Sequence, residues 1–337
     1  MRRLAQTAAI RVDSTFYLTM KTTVLIPAYN CAKTLRATLE SVFEQTLAPD
    51  EVILLDDGST DETPSIASSY GSLISVIRQS NAGVAVARNV LCSRATGDLI
   101  TFIDADDIWH PHYLEVQAEL FAKFPEAVGF FTGHVNFHGL ETHEWKEQTS
   151  RAGLRETQLI PPLRFLELYN KNTGLFASMS YLSVPRKVFD SLGSEPFCEK
   201  VPGVEDSYLC TTLPLLGPVV FCPEPLVAYR ITPGSLSVLR LERFGMWVEV
   251  FTILGERYRT QPDVRLERSF SLAYASKRRS FAKLLMGAGE TSVARRQLWR
   301  SLRDSYRPRS LAKSLALLLS TYLPQMVQPR WPSRYRN

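Results

Sequence analysis

LITFIDAD, residues Leu99–Asp106, indicates the fold class of this chain most directly. Its first five residues form a short and almost wholly apolar run, which predicts a strand buried on both faces of a parallel sheet. The run leads into Asp104 and Asp106, so both carboxylates are expected at the carboxyl edge of that sheet. This edge is where open α/β sheets bind their ligands.

The two carboxylates indicate a cation site. Side chains of like charge two residues apart repel each other, and a cation between them relieves that repulsion. A hard divalent ion with oxygen ligands, Mg²⁺ or Mn²⁺, suits Asp104 and Asp106 best. Such an ion would neutralise a diphosphate and help it to leave. The alternative is a turn at the strand end in which Asp106 or Asp107 caps the following helix.

Strand-like and helix-like segments alternate around this stretch, which is typical of βαβ units in an α/β protein with a mostly parallel sheet. Helical spacing then dominates from residue 241 onward, which predicts a C-terminal helical extension. The predicted strands cover residues 22–28, 51–55, 73–77, 99–103 and 128–136, with a strand pair over 217–230. The predicted helices cover residues 34–45, 61–70, 84–95, 111–123, 163–169, 241–259, 269–286, 291–304 and 311–327.

The composition is that of a globular protein with a large core. The chain has 337 residues, of which 45% are hydrophobic, and no run of residues is long and apolar enough to span a bilayer. Its five cysteines are scattered, without C-x-x-C pairs. This pattern favours a reducing cytoplasm and argues against a disulfide framework or a structural zinc site.

The first 19 residues lack a continuous apolar core, which argues against a secretory signal. Met20 stands directly before the first predicted strand. We therefore expect residues 1–19 to be a disordered extension or to precede the true start of the protein.

The charge of the chain is unevenly distributed. Residues 240–337 hold 20 Lys and Arg against 7 Asp and Glu, whereas the rest of the chain holds 19 against 27. A basic tail beside an acidic body predicts an anionic partner for the tail. No recognised nucleic-acid module accompanies the charge, so nucleic acid is not expected.

Apolar residues at helical spacing in this tail favour an interfacial helix on an anionic bilayer. The alternative is a packing arm or an oligomer contact. The residues predicted to share one face are Leu311, Leu315, Leu318, Leu319 and Tyr322.

Four motifs follow the predicted strands in a fixed order, and together they resemble the motif set of family 2 glycosyltransferases. The resemblance is strong over residues 20–135 and weaker over 180–240. The motifs are Ile26-Pro27-Ala28-Tyr29-Asn30, Asp56-Asp57-Gly58-Ser59-Thr60-Asp61, Asn81-Ala82-Gly83 through Ala87-Arg88-Asn89, and Phe102-Ile103-Asp104-Ala105-Asp106-Asp107.

This resemblance implies a GT-A fold, the nucleotide-diphospho-sugar transferase fold, over residues 20–240, followed by a basic helical region over 241–337. It implies inverting transfer of a sugar from a UDP- or dTDP-sugar to a hydroxyl of a glycan or lipid-linked saccharide. We expect a role in cell-surface polysaccharide or glycoconjugate synthesis, at a cytoplasmic location that is peripheral on the membrane face. The rivals are a non-catalytic sugar-nucleotide scaffold and a sugar nucleotidyltransferase, whose glycine-rich loop is lacking after the first strand.

The resemblance also assigns a nucleoside pocket. Pro27, Ala28 and Tyr29 would form its wall, and Asp57 would accept from N3–H of uracil or thymine. Arg88 would reach the base or a phosphate. The alternatives are that Asp57 or Ser59 caps the helix predicted from residue 61, that Tyr29 is a core-edge aromatic and that Arg88 is an ordinary surface arginine.

For the diphosphate and the sugar, the resemblance implies that Asp104 contacts the sugar or ribose, across Ala105 from the metal ligand Asp106. Arg230 would balance pyrophosphate charge, with a plain salt bridge as the alternative. Many relatives carry a histidine where this chain has Thr232, so the metal is expected to rely on Asp106, donor oxygens and water.

An acidic pair, Glu205-Asp206, stands where the family carries its general base. Inverting transfer needs a carboxylate that takes the proton from the attacking acceptor hydroxyl. The resemblance favours Asp206 for this role, with Glu205 second. The alternative is an acidic pair that only complements a helix N-terminus.

Overall fold

The computed structural model describes residues 20–139, 154–170, 178–231, 241–305 and 307–322. Its backbone divides into two units. The first unit comprises residues 1–159, 178–194 and 219–231, and the second comprises 160–177, 195–218 and 232–337. This division places two segments of the predicted transferase domain, 160–177 and 195–218, with the C-terminal helices rather than before a boundary at residue 240.

The first unit is built on a nine-stranded sheet in the order β3-β2-β1-β4-β8-β6-β9-β5, with β7 paired to β9. The strands are β1 (Thr22–Ala28), β2 (Glu51–Asp56), β3 (Ser75–Arg78), β4 (Leu99–Phe102), β5 (Ile108–Trp109), β6 (Phe130–His138), β7 (Gln158–Ile160), β8 (Leu182–Pro185) and β9 (Val219–Ile231).

Helices of the first unit cover its strands, and the remaining helices form the second unit. They are α1 (Leu35–Phe43), α2 (Thr63–Ser68), α3 (Val84–Arg94), α4 (Tyr113–Lys123), α5 (Pro162–Asn170), α6 (Arg186–Leu192), α7 (Glu205–Thr212), α8 (Leu241–Arg259), α9 (Val264–Gly287), α10 (Thr291–Arg303) and α11 (Pro308–Ser320).

The parallel half of the sheet contains β4, with which the stretch Leu99–Asp106 begins. β1 lies between β2 and β4 and pairs in parallel with both, with Leu25 opposite Ile53 on one side and Phe102 on the other. The interior residues of these strands are buried on both faces, which explains their almost continuous apolar runs. The strand predicted from residue 99 onward is therefore confirmed, and its carboxyl end lies beside those of β1 and β2.

The other half of the sheet is mixed. β8 is antiparallel to β4 and β6, and β9 is parallel to β6 but antiparallel to β5. The strand pair predicted over residues 217–230 is wrong, because this segment is the single strand β9. The register between β6 and β9 shifts on both sides of Gly133. A Cβ at Gly133 would lie 2.5 Å from the carbonyl oxygen of Pro223, so a glycine is needed where the two backbones approach.

In the second unit, α8 and α9 enclose one apolar cluster that includes Val250, Leu254 and Phe270. Tyr258 on α8 is fully buried, and its hydroxyl donates to the carbonyl oxygen of Thr211 at 2.6 Å. This bond, together with the packing of Val204, fixes α7 against α8. The start of α7 is therefore held by the core of its own unit.

The C-terminal helices α9, α10 and α11 share a second cluster, which includes Leu285, Leu298 and Leu318. Leu318 was predicted to share one face with Leu311, Leu315 and Leu319, but its side chain is buried in this cluster whereas theirs are exposed. None of the helices in the part of the chain that the structure describes is long and apolar enough to cross a membrane.

We expect two glycine substitutions to act with opposite signs. Gly133→Ala should lower the free energy of unfolding by about 1–3 kcal/mol, because its Cβ meets backbone oxygens of β9. Gly255→Ala lies inside α8 with no atom within 4 Å of the added Cβ, and it should raise that free energy by up to about 1 kcal/mol. Urea unfolding of both variants measures the difference, and equal effects would contradict the close approach of β6 to β9.

Candidate active site

Three loops meet at the carboxyl edge of the parallel strands. They follow β1, β2 and β4, and hydrogen bonds join them. The backbone N–H of Asn30 donates to Ser59 Oγ at 2.9 Å, and Thr60 N–H donates to Asn30 Oδ1 at 2.8 Å. Asn30 has φ 47°, a left-handed conformation that asparagine tolerates better than most residues. The loops after β1 and β2 therefore form one connected surface.

Helix α1 connects that surface to the loop after β4. Thr34 Oγ1 donates to the carbonyl oxygen of Ala105, and Thr38 Oγ1 donates to that of Asp107, both at 2.8 Å. Ser180 holds the same loop from the other side, because its Oγ accepts from Asp104 N–H at 3.0 Å. Its carbonyl oxygen accepts from Trp109 Nε1 at 2.8 Å. Thr34, Thr38 and Ser180 thus hold the acidic loop through its backbone atoms.

Asp57 is buried and holds the turn before α3. Its Oδ1 accepts from Gln79 Nε2 and from Ala82 N–H, and its Oδ2 accepts from Gly83 N–H, at 2.8–2.9 Å. Gly58 follows with φ 78°, and a Cβ there would lie 2.7 Å from Asn81 N. The backbone at this point therefore requires glycine.

The alternative that Asp57 or Ser59 caps the helix after β2 is wrong. That helix, α2, begins at Thr63 with no side-chain cap bond from its N-cap residue. Ser59 Oγ instead accepts from Asn30, and Asp57 binds the turn before α3.

One side chain of the predicted pocket wall is exposed to solvent. Tyr29 is 51% exposed at the end of β1, whereas Ala28 is buried and Pro27 is partly buried. Tyr29 is therefore not a buried core-edge aromatic, and its ring is free to take a planar partner.

Arg88 and Asp104 form an ion pair inside the site. Arg88 Nη2 lies 2.7 Å from Asp104 Oδ1, with the arginine side chain 5% exposed and the aspartate 28% exposed. Arg88 is therefore not an ordinary surface arginine. The pair fixes the direction of the Asp104 carboxylate, and its partial exposure leaves the carboxylate accessible.

Arg230 joins the end of β9 to the acidic loop through backbone atoms. Its N–H donates to Asp107 Oδ1 at 2.8 Å, and its Nε donates to the carbonyl oxygen of Asp106 at 2.6 Å. The guanidinium also donates to the Gly139 carbonyl oxygen and lies 4.3 Å from the centre of the Phe137 ring. Arg230 is thus bound to main-chain oxygens, and its positive charge lies beside the carboxylates without a direct salt bridge among its described contacts.

Three carboxylates and two guanidinium groups make this loop locally negative. Burial, followed by the charge of Asp104, raises the pKa of the Asp106 carboxyl to about 6, against the lowering effect of Arg230. Burial, with the charges of Asp106 and Asp104, also raises the pKa of the fully buried Asp107 carboxyl. The arrangement therefore stabilises an added positive charge.

The alternative that Asp106 or Asp107 caps the next helix is wrong. Helix α4 starts at Tyr113, and its N-cap residue is His112, which makes no side-chain cap bond. Asp107 is instead bonded to β9 through Arg230.

The donor set fits a hard divalent ion. Within the described ranges, no group of three or more His, Cys, Asp or Glu side chains is placed to hold a metal. Mg²⁺ and Mn²⁺ do not need such a group, because they are commonly held by one or two carboxylates together with substrate phosphates. Asp106 and Asp104 supply this kind of oxygen set, and the local excess of negative charge is consistent with it. Thr232 lies outside the described residues.

The acidic pair predicted to supply a base lies in the second unit, at the first turn of α7. Glu205 is buried, whereas Asp206 is partly buried. Asp206 Oδ1 accepts from Ser207 N–H at 2.5 Å, and Trp247 Nε1 donates to Ser207 Oγ at 3.1 Å. The more accessible carboxylate is thus the one that the resemblance favours as base.

Sequence analysis missed the residues that position these groups. Thr34, Thr38 and Ser180 each bond a backbone atom of the acidic loop from a distant part of the chain. Small hydroxyl residues are common, and nothing in their spacing distinguishes them.

A family model described as "Glycosyl transferase family 2" matches residues 23–193, just over half of the chain. The chain belongs to glycosyl transferase family 2. The matched range contains the loops after β1, β2 and β4 that form the first-unit site. The family predicted from the four motifs is therefore confirmed.

Two curated proteins are similar to this chain in sequence. Glycosyltransferase GlyA of Streptococcus pneumoniae serotype 4 is 28% identical over 66% of this chain, and the match covers 32% of GlyA. The succinoglycan biosynthesis protein ExoW of Rhizobium meliloti is 30% identical over 72% of this chain and 81% of ExoW. The chain thus spans about a third of the length of one relative and most of the other.

Solved structures share the fold of this family 2 protein. Staphylococcus aureus TarS 1-349 in complex with UDP superposes with a TM-score of 0.66 over 90% of both chains, at 18% identity. The mannosyltransferase PcManGT from Pyrobaculum calidifontis, in complex with GDP-Man and Mn²⁺, gives 0.56 over 90% of this chain and 81% of that one, at 20% identity. The predicted GT-A fold is confirmed by this likeness.

We expect Asp57→Asn to loosen the turn before α3. Asparagine has one acceptor oxygen in place of two, and its amide nitrogen cannot accept a hydrogen bond. Gln79, Ala82 and Gly83 therefore cannot all keep their bonds, and a buried donor loses its partner. The free energy of unfolding should fall by about 1–3 kcal/mol, as measured by urea unfolding.

Asp98→Asn is the matched control, because this exposed carboxylate accepts from Lys21 N–H at 2.9 Å at the other end of β4. Its effect should stay below about 0.5 kcal/mol. Equal losses in the two variants would contradict the structural role of Asp57.

Proposed function

We propose that this chain is an inverting glycosyltransferase that moves a sugar from a UDP-sugar, or the related dTDP-sugar, to a hydroxyl of a glycan or lipid-linked saccharide. The observation that carries this proposal is the loop Asp104–Asp107, fixed by backbone bonds beside Asp57, Arg88 and Arg230 at the carboxyl edge of the sheet. The name of the relative ExoW supports a role in cell-surface polysaccharide synthesis.

The hydrogen bonds of Asp57 support a pyrimidine donor. An ionised carboxylate has about four acceptor positions, and three of those of Asp57 are taken by Gln79, Ala82 and Gly83. One N–H donor can still be accommodated, which is what the N3–H edge of uracil or thymine presents. Guanine presents both an N–H and an amino group on the corresponding edge. The UDP complex of TarS supports the uracil choice, whereas the GDP-Man complex of PcManGT makes guanine the alternative to test.

Exposed Tyr29 would cover one face of the base, with Pro27 and Ala28 below it. Asp104, oriented by Arg88, would accept from a hydroxyl of the ribose or of the sugar. Arg230 would add positive charge near the diphosphate while it keeps its bonds to the backbone.

The proposed metal is Mg²⁺ or Mn²⁺, held by Asp106 with support from Asp104 and completed by diphosphate oxygens. When bound, it supplies positive charge that stabilises the departing diphosphate. The Mn²⁺ complex of PcManGT supports this class of ion.

Asp206 is proposed as the general base. The acceptor hydroxyl oxygen attacks the anomeric carbon as the bond from that carbon to the diphosphate breaks, and the hydroxyl proton passes to the Asp206 carboxylate. Glu205 is buried beside it and is the second candidate. Attack from the side opposite the leaving group accounts for the inversion.

The second unit supports a peripheral place on the cytoplasmic membrane face. Leu315 and Leu319 on α11 are 47% and 60% exposed, and Leu311 and Tyr322 continue the same stripe. Arg309 and Lys313 are exposed on this helix as well. Apolar side chains flanked by cations suit the surface of an anionic bilayer, and a lipid-linked acceptor would be found there.

Two rival functions make different predictions. A sugar-nucleotide scaffold would bind donor without turnover, and the accessible Asp206 argues against it. A sugar nucleotidyltransferase would need a glycine-rich basic loop after β1, where this chain has Ala28-Tyr29-Asn30 bonded to Ser59 and Thr60.

Hydrolysis of sugar nucleotides, with water as acceptor, tests the enzyme without knowledge of its acceptor. In the presence of Mn²⁺, the wild type should release UDP from at least one UDP-sugar. Asp206→Asn should lower turnover by about 10²–10⁴-fold with donor affinity retained, because only the proton acceptor is lost. Asp106→Asn should instead lose the turnover that Mn²⁺ supports, because donor binding through the ion is lost, and Asp98→Asn should behave as wild type. Donor binding with no turnover in the wild type would support the scaffold.

Vesicle sedimentation tests the proposed membrane surface. The affinity of the double variant Leu315→Glu/Leu319→Glu for vesicles of phosphatidylglycerol and phosphatidylcholine should be at least about 10-fold lower than that of wild type. Leu73→Glu is the matched control, since Leu73 is 62% exposed in the first unit and should leave binding unchanged. If the double variant binds vesicles as wild type does, the stripe is not the membrane surface.

A further inference from the structure

A group of cations surrounds one tryptophan of the second unit. The ammonium of Lys277, on α9, lies 3.9 Å from the centre of the Trp247 ring. The guanidinium carbon of Arg243, on α8, lies 5.7 Å from the same centre. We call Arg243, Trp247 and Lys277 the cation–tryptophan cluster.

Trp247 connects this cluster to the candidate base. Its Nε1 donates to Ser207 Oγ at 3.1 Å, and Ser207 is the residue after Asp206 on α7. The indole of Trp247 therefore contacts both Lys277 and the neighbour of Asp206, Ser207. All of these residues belong to the second unit.

Lys277 lacks a compensating acid in the part of the chain that the structure describes. Its ammonium takes part in none of the ion pairs found there, and its recorded contact is with the Trp247 ring. Burial, together with the charge of Arg243, lowers the pKa of Lys277 to about 8. By contrast, the buried Arg278 on the same helix is paired with Asp304 at 2.7 Å. Among the described residues, the buried Arg278 is thus paired with an acid, whereas the partly buried Lys277 beside it is not.

A partly buried ammonium beside a second cation is stabilised by an anion, and an aromatic ring alone does not replace a counter-ion. We propose that the cation–tryptophan cluster is a subsite for an anionic group, a phosphate or a carboxylate, carried by the acceptor substrate. This inference rests on the proposed function only in assigning the anion to the acceptor. It narrows the acceptor to an anionic glycan or a phosphate-linked saccharide, with the charged group bound close to Asp206.

The probe for this subsite is inorganic phosphate, observed through the indole N–H signals of the five tryptophans in a ¹H–¹⁵N spectrum. Trp247→Phe assigns the Trp247 signal. Phosphate should shift that signal saturably, whereas sodium chloride at equal ionic strength should not. A shift that chloride reproduces would mean general screening and would overturn the proposal.

Variants then test the cation itself. Lys277→Gln should weaken phosphate binding by about 10-fold or more, and Lys277→Arg should keep most of it. Arg296→Gln removes one exposed positive charge from α10 and serves as the charge-matched control, with binding unchanged. Arg243→Gln gives a second, independent loss should Lys277→Gln fail to fold. Phosphate binding that is the same in Lys277→Gln, Arg243→Gln and wild type would overturn the proposal.

A last experiment tests whether the anion that binds the cluster belongs to the acceptor or to the donor. The titration is repeated with the protein saturated by UDP and Mn²⁺. Phosphate binding that persists supports an acceptor subsite, whereas displacement by UDP would assign the cluster to the donor diphosphate and overturn the acceptor assignment. Because phosphate binding is measured without turnover, its outcome is distinguishable from a failure of the proposed transferase activity.

Discussion

The site of the first unit depends on the unbalanced charge of four consecutive residues, Asp104–Asp107. Three carboxylates lie in or beside a loop that is largely withdrawn from water, against the two guanidinium groups of Arg88 and Arg230. Repulsion at this density would open an ordinary loop. Here the backbone is held from three sides, by Thr34 and Thr38, by Ser180 and by Arg230. The loop therefore favours binding of a positive charge at the carboxyl edge of the sheet, where the ligand is expected.

The contacts of the two arginines explain why they do not neutralise the loop. Arg88 orients the carboxylate of Asp104. The guanidinium of Arg230 donates to carbonyl oxygens and packs on the Phe137 ring. Asp106 keeps its carboxylate for another partner, and Asp57 keeps one acceptor position. Asp57 and Asp104 are thus each fixed by neighbours that leave an acceptor position available. This is the arrangement expected of a preorganised binding site rather than of a structural ion-pair network.

Much of this arrangement was predictable from local sequence, because it depends on what each strand end carries. The apolar runs of β1, β2 and β4 predicted their burial, and the parallel pairing then required Tyr29, Asp57 and Asp104 to share one edge. The long strand β9 was predicted as two strands because the register shift at Gly133 depends on a partner far away in sequence. Leu318 was predicted to share a face with Leu315 and Leu319 for the same reason, since helical spacing cannot tell which neighbour covers which residue. The hydroxyl bonds of Thr38 and Ser180, and the cations around Trp247, are likewise products of tertiary structure.

We propose that the acidic loop binds a nucleoside diphosphate through a divalent ion. Calorimetric titration of UDP into the wild type and into Asp106→Asn, each with and without Mn²⁺, tests it most directly, with dTDP and GDP as comparisons. We expect UDP binding that requires Mn²⁺ and is lost in Asp106→Asn, and we expect GDP to bind more weakly than UDP. Binding of UDP that is equally strong without Mn²⁺, or unchanged in Asp106→Asn, would contradict it.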